Sequence, residues 1–295
     1  MSTINPQTLL QWLKNGSTDA KAAFKILYTT MPGGTAAKHA LAHDVRDKLI
    51  PNSLYFDFQG QFADQHSDLS NTMCSLQQFQ EQARKLGLNQ DDTLVVYDNY
   101  GNFCASRVWF MCKSMGFRQV YLLNGGMPLW VDLNFPTASQ CASVSEEGNF
   151  TAFATRKYQF VDADYVKHVV DADAPSESLI VDARSHQRFT GESPDPRQNV
   201  RSGHIPKSVN LHYTLLQDEW GGFLSAEKLS ARFAEIAIHT NSHNKEFVFS
   251  CGSGVTACIL AQAADMLFNA NLKVYDGSWS EWGATPQLPI ATGPL

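Results

Sequence analysis

The chain has 295 residues, of which 43% are hydrophobic and 18% charged, and a formal net charge of −6. Its length predicts about two domains, each large enough for its own core, in a protein of ordinary globular composition. The acidic balance excludes a general nucleic-acid binder, whose affinity comes from clustered Lys and Arg, so an anionic substrate needs a local basic pocket.

Residues 1–30 carry scattered charges and no apolar core before a small-residue cleavage site, which predicts a cytoplasmic protein without a secretory leader. Leu9, Leu10, Trp12 and Leu13 predict a helix within Met1–Lys25, and Phe24–Tyr28 a first strand. Gly33-Gly34 marks a turn, and Leu49–Phe58 reads as a turn into a strand. Ser75 opens a helix with Gln78 at the capping-box position and Leu76, Phe79, Ala83 and Leu86 on one face, and Gly87 closes it. Leu94–Asp98 has the pattern of a buried strand, Ser106–Ser114 of a helix, and Val120–Leu123 of a last strand before Gly125-Gly126 and Pro128-Leu129-Trp130.

The second half repeats this order. Leu179–Asp182 is a strand, Gly203-His204-Ile205-Pro206 leads into Val209-Asn210-Leu211, and Ser225 caps a helix bearing Leu229, Phe233 and Ile236. Phe247-Val248-Phe249 is a strand, and Lys273–Ser278 precedes Trp279 and Trp282. Ile50-Pro51 matches Ile205-Pro206, Ser75 matches Ser225, Asp98 matches Cys251 and Trp130 matches Trp282, all at nearly constant offset. This is an internal duplication of one α/β unit, and it predicts mostly parallel sheets flanked by helices. The predicted division is a first domain over 1–140, a linker over 141–157 and a second domain over 158–295. The least polar run, Thr256–Phe268, is too short to span a bilayer and predicts a buried helix, so no membrane is expected. The six cysteines form no CxxC pair and no metal-type spacing with histidine, which predicts free thiols and no metal.

The chemistry concentrates at Ser250-Cys251-Gly252-Ser253-Gly254-Val255-Thr256-Ala257-Cys258. A cysteine at a strand end, two glycines in a tight loop and a following helix form an anion cradle. Backbone N–H groups converge at the helix N-terminus, where the dipole favours negative charge. Gly252 and Gly254 permit the positive-φ turns and close approach this needs. The loop suits a nucleophilic Cys251 held as thiolate at neutral pH; against it stands a buried structural cysteine beside a turn. The first copy carries Asp98 in place of the nucleophile, with a loop one residue longer. Cys104 in that loop, and Cys258 two helical turns beyond Cys251, read as core.

The loop Cys251–Ala257, the Asp182-Ala183-Arg184 strand end, Gly203-His204-Ile205-Pro206 and the closing Asp276–Trp282 together resemble the tandem-domain rhodanese sulfurtransferases. The loop is closest to their 3-mercaptopyruvate sulfurtransferase branch. The resemblance implies that residues 1–140 form a rhodanese-like domain lacking the cysteine and residues 158–295 the catalytic one. It implies a Cys251 persulfide that passes sulfur from a small anionic donor to a thiol or thioredoxin-like acceptor, with pyruvate released and no cofactor. Gly252, Gly254, Val255 and Thr256 would line the anion, and Ser253 matches a family serine that relays a proton near the sulfur. Arg188 and Arg197 match its two substrate-binding arginines, whose forked guanidiniums suit a carboxylate; without that match they read as exposed loop arginines. Thiosulfate-tuned loops carry cations directly after the cysteine, where this chain has Gly252 and Ser253, so 3-mercaptopyruvate is the expected donor and thiosulfate the alternative. The chain departs from the family relay: the aligned first-domain places are Gln59 and Thr72, neither an acid nor a base. His66 nearby and His204 are the remaining histidine candidates, His204 with the stronger structural reading. Trp279 and Trp282 read as cleft wall or core.

Two rivals remain from residues alone. A cysteine phosphatase places Arg six positions after its cysteine, and here that place is Ala257, which excludes phosphoryl transfer by that route. A non-turnover sulfur-carrier or binding module also fits the loop, because the relay residues are missing.

Overall fold

The computed structural model describes residues 2–15, 24–38, 45, 47–172, 177–239 and 246–293. It divides into two compact units: Met1–Gln65, Met73–Thr155 and Gln217–Phe223 form one, and His66–Thr72, Arg156–Leu216 and Leu224–Leu295 the other.

In the first unit, β1 (Thr3–Ile4), α1 (Pro6–Asn15), β2 (Phe24–Thr29), β3 (Ser53–Tyr55), α2 (Leu76–Lys85), β4 (Thr93–Asp98), α3 (Ala105–Ser114), β5 (Gln119–Leu123) and α4 (Gly126–Asp132) follow in order. The second unit has β6 (Tyr158–Val161), α5 (Ala163–Asp171), β7 (Ser178–Asp182), α6 (His186–Thr190), β8 (Val209–Asn210), α7 (Ala226–Ala234), β9 (Glu246–Ser250), α8 (Ala257–Leu267), β10 (Asn271–Tyr275) and α9 (Ser278–Trp282). Each unit holds one five-stranded sheet, ordered β1-β5-β4-β2-β3 and β6-β10-β9-β7-β8, and every strand pairing within the two sheets is parallel. The two orders superpose element for element, as the duplication predicts.

The cause is visible in the central strands. Every residue of β4 is buried, as are Phe247 to Ser250 of β9, so both read as unbroken apolar runs covered on two faces. The cores correspond down to single contacts. Trp130 packs with Ile26, Val95, Tyr97 and Met127, and Trp282 with Ile180, Val248, Tyr275 and Trp279. Each donates its indole N–H to a following proline carbonyl, Pro136 at 2.8 Å and Pro289 at 2.6 Å, which satisfies the polar edge of a ring buried for its area. Loss of either ring to alanine costs roughly 3–5 kcal/mol.

Several elements differ from the sequence reading. The two-residue β1, the short β6, α4, α6 and α9 and the nine-residue α5 were not predicted: the short elements carry too little periodicity, and α5, capped by Asp162 with Val166, Val169 and Val170 buried, was missed in the stretch after the linker. The first helix covers Pro6–Asn15, and residues 16–23 of its predicted range lie outside the described residues. Ile236 falls beyond the end of α7. Ser75 Oγ does accept the N–H of Gln78 at 3.2 Å, but the Gln78 amide turns to the Gln61 and Ala63 carbonyls at 3.0 and 2.9 Å. The box therefore becomes a brace for the preceding loop. Among the described residues no helix is long and apolar enough to cross a membrane.

Candidate active site

Cys251 stands at the C-terminal end of β9, at the edge where parallel α/β sheets hold their sites, and is 1% exposed. The loop is pinned by the turn between β10 and α9. Ser278 Oγ accepts the N–H groups of Cys251 at 3.2 Å and Gly254 at 3.1 Å, and donates to the Tyr275 carbonyl at 2.8 Å. Trp279 N–H and Ser280 N–H donate to the Cys251 and Gly252 carbonyls at 3.1 and 2.9 Å. Ser278 itself has φ +50°, a conformation non-glycine residues adopt rarely, in a turn tied to the cysteine loop by four of these hydrogen bonds. Asn71 Nδ2 donates to the Ser253 carbonyl at 3.2 Å. Gly254 sits at φ +73°, where a side chain would be strained. The N–H groups of Gly252, Ser253, Val255 and Thr256 make no hydrogen bond among the described residues; that of Gly254 is taken by Ser278.

Arg188, on α6, and Arg197, in the loop after it, both reach this loop. A Cβ on Gly252 would lie 2.8 Å from Arg197 Nη2 and 3.6 Å from Arg188 Nη2, so glycine leaves room for the guanidiniums against the loop; contrary to the sequence expectation Gly252, unlike Gly254, does not adopt a positive φ. Asp195 holds them. Its carboxylate is 1% exposed and accepts Arg188 Nη2 at 2.6 Å and Arg197 Nη1 at 3.1 Å, together with the Arg197 N–H at 3.0 Å. Burial pushes the Asp195 carboxyl up, but hydrogen bonds from Arg188 and Arg197 and the charge of both guanidiniums outweigh it and hold the group below its ordinary value. Two guanidiniums against one carboxylate leave the loop facing a net positive charge. The Asp182-Ala183-Arg184 strand end is scaffold: Arg184 pairs with Asp182 at 2.7 Å, donates to the Gly203 carbonyl at 2.8 Å and lies 4.3 Å over the Trp279 ring.

Other candidates take different places. Thr72 Oγ1 bonds the Leu69 carbonyl at 3.0 Å and Ser67 Oγ at 2.8 Å, and Asp57, two residues before Gln59, is spent on the Gly60 and Gln61 N–H groups at 3.0 and 3.3 Å. His66 is exposed. His204 is 1% exposed, stacked on Phe189 at 3.8 Å and bonded through Nδ1 to the Phe189 carbonyl at 2.8 Å, and burial holds it below the usual histidine range. Trp279, Trp282, Cys104 and Cys258 are fully buried. Three residues not singled out by the sequence complete the site: Asp195, Ser278 and Asn71. Ser278 lies inside the Asp276–Trp282 motif and Asp195 between the two candidate arginines in sequence, whereas nothing in the sequence marks Asn71.

The equivalent loop of the first unit is closed on itself. Asp98 Oδ2 accepts the N–H groups of Phe103, Cys104 and Ala105 at 2.8, 2.8 and 2.9 Å, and Oδ1 that of Tyr100 at 2.9 Å. Burial and the neighbouring Asp98 charge push the Cys104 thiol well above the ordinary cysteine value. The 217–223 segment of the same unit packs on this loop: Gln217 Nε2 donates to the Asn102 carbonyl at 2.7 Å, and the Trp220 carbonyl lies against Gly101.

A duplicated five-stranded parallel α/β unit with a cysteine loop at the central strand end defines the rhodanese class. The rhodanese-like domain model matches twice, over residues 37–133 and 162–285, and the chain belongs to that family. Among its relatives, the thiosulfate/3-mercaptopyruvate sulfurtransferase 2 of Arabidopsis thaliana is 34% identical over 98% of this chain and 87% of its own. The 3-mercaptopyruvate sulfurtransferase of Escherichia coli K12 is 35% identical over 82% of each. SseA from Escherichia coli, described as having the rhodanese fold of 3-mercaptopyruvate sulfotransferases, superposes with TM-score 0.76 at 27% identity over 95% of this chain and all of its own.

Proposed function

We propose that the chain is a sulfurtransferase that takes sulfur from 3-mercaptopyruvate onto Cys251 as a persulfide and passes it to a thiol or thioredoxin-like acceptor, releasing pyruvate. The observation that carries this is the pair of guanidiniums held by Asp195 over Gly252, next to a cysteine whose loop still has unused N–H groups. The donor carboxylate pairs with Arg188 and Arg197 in the bidentate manner that guanidinium favours. The Cys251 thiolate attacks the donor sulfur; an S–S bond forms, the C–S bond breaks, and its electron pair leaves on carbon as the pyruvate enolate. The proton that began on the donor thiol ends on the pyruvate methyl, so no external reductant enters. Ser253, two residues after the cysteine, is the group placed in sequence to pass that proton. The outer sulfur is left as an anion, stabilised by the N–H groups of Gly252, Ser253, Val255 and Thr256. The Gly254 N–H acts indirectly, by fixing the loop to Ser278. The six cysteines are all free thiols, consistent with a reducing, cytoplasmic setting.

Thiosulfate is the second donor, because paired guanidiniums accept it too. It ranks below because no cation follows Cys251. Measuring kcat/KM for both donors with a thiol acceptor tests this: 3-mercaptopyruvate is expected to be the better substrate, and the reverse order would overturn the donor assignment. Continuous turnover is expected; one pyruvate per chain and no more would make the protein a carrier.

A further inference from the structure

His212 has no part in the site as built so far. It follows β8 directly, and β8 pairs with β7, which pairs with β9. The Leu211 N–H donates to the Asp182 carbonyl at 3.0 Å and the Tyr213 N–H to the Ala183 carbonyl at 3.2 Å, so His212 is bracketed onto the end of β7. The Ala183 N–H in turn donates to the Ser250 carbonyl at 2.8 Å, beside Cys251. Two strand spacings separate the His212 backbone from that of Cys251, about 10 Å along the same sheet edge. The imidazole is held by its neighbours: Nδ1 is 2.8 Å from Thr214 Oγ1, and the ring meets Tyr213 edge-on at 4.9 Å. Nε2 makes no hydrogen bond among the described residues. The charged groups facing it are Arg188 from α6 and Asp182 from β7, the latter tied to Arg184. Burial and the Arg188 charge hold the imidazole below the usual histidine range, against the smaller opposing pull of Asp182. The imidazole therefore favours its neutral form, and the Arg188 charge acts on it.

We propose that His212 is the proton acceptor for the incoming thiol in the second half of the reaction, an inference that rests on the sulfurtransferase reading above. The acceptor S–H gives its proton to His212 Nε2 as the sulfur attacks the outer atom of the Cys251 persulfide. A new S–S bond forms, the old one breaks, and the electron pair returns to Cys251 as thiolate. The product is the acceptor persulfide, and the proton leaves His212 to solvent. A neutral imidazole suits this step, and neither Gln59 nor Thr72 can take its place.

The test separates the two half-reactions. Wild-type and His212→Gln proteins are loaded with 3-mercaptopyruvate, the pyruvate burst counts the loaded chains, and transfer is then timed to 2-mercaptoethanol and to 4-nitrothiophenolate from neutral pH down through the acid side, below the ordinary histidine value of about 6.5. The aromatic thiolate brings no proton. The expected result is transfer to 2-mercaptoethanol slowed about 100-fold, with loss of the fall in rate on the acid side. Transfer to 4-nitrothiophenolate should stay within about twofold, since no base is required. Equal slowing with both acceptors would mark His212 as structural and overturn the role, as would unchanged rates with both. A missing burst in the wild type would instead sink the sulfurtransferase reading and this role with it.

Discussion

The loops after β4 and β9 are copies of one design put to opposite uses. In the first unit the converging N–H groups are saturated by the chain's own carboxylate, Asp98, which accepts four of them. In the second unit the same strand end carries a cysteine, four N–H groups stay unbonded among the described residues, and two guanidiniums stand over Gly252. An anion cradle is thus a property of the fold, and one residue at the strand end decides whether it is filled internally or kept for a ligand. Asp98 is ringed by backbone N–H donors, whereas beside Cys251 stand two guanidiniums held by Asp195.

The largest expected difference between the two loops is at that residue. Cys251→Ser should abolish pyruvate release while leaving the thermal transition near the wild-type value; retained turnover would break the contrast. Next comes the clamp. Asp195→Asn removes the carboxylate that aligns both guanidiniums and should raise KM for 3-mercaptopyruvate about tenfold with a smaller change in kcat, on the order of one lost charge-assisted contact. Asp195→Glu should restore part of the loss. An unchanged KM would show that the arginines do not need the clamp. Because the Asp195 carboxyl is held below its unfolded value, its contribution to stability is present above about pH 4 and fades as acid protonates it.

On the other side of the comparison, Asp98→Asn should cost about 3 kcal/mol, because an amide cannot accept four N–H groups as a carboxylate does. Calorimetry on the purified variant checks this, and turnover per folded chain should be little altered. A stability loss below about 0.5 kcal/mol, the scale of ordinary surface changes, would mean that the first cradle has no need of its carboxylate. The smallest effect is expected from Asn71→Ala, which removes one hydrogen bond to the Ser253 carbonyl, worth about 1 kcal/mol. It should lower kcat a few-fold, and no change would remove Asn71 from the site.

Much of this was legible in the sequence. The long apolar strands, the duplication and the Cys251 loop are local patterns, and the rhodanese assignment followed from motifs confined to short stretches. The nucleophile's loop could be read because its glycines and its strand are contiguous with it. What stayed hidden depends on distance. Asn71 lies 182 residues from Ser253, whose carbonyl it bonds, and Ser278 meets Cys251 from 27 residues away. Asp195 lies two residues before Arg197 in a loop whose arginines, without the family match, read as exposed. Only packing reveals that it is buried and that it turns both guanidiniums toward Gly252. Gln78 shows the opposite failure: a local motif was present, but a nearby loop competed for its amide.

The central claim is that the unfilled cradle, and not its filled copy, carries sulfur. Intact protein treated with 3-mercaptopyruvate, freed of small molecules and digested without reductant, can be weighed peptide by peptide. One added sulfur atom on the Cys251 peptide, absent from the Cys104 peptide and lost on adding a thiol, is the predicted result. Sulfur on any other cysteine, or none on Cys251 while pyruvate is released, would contradict it.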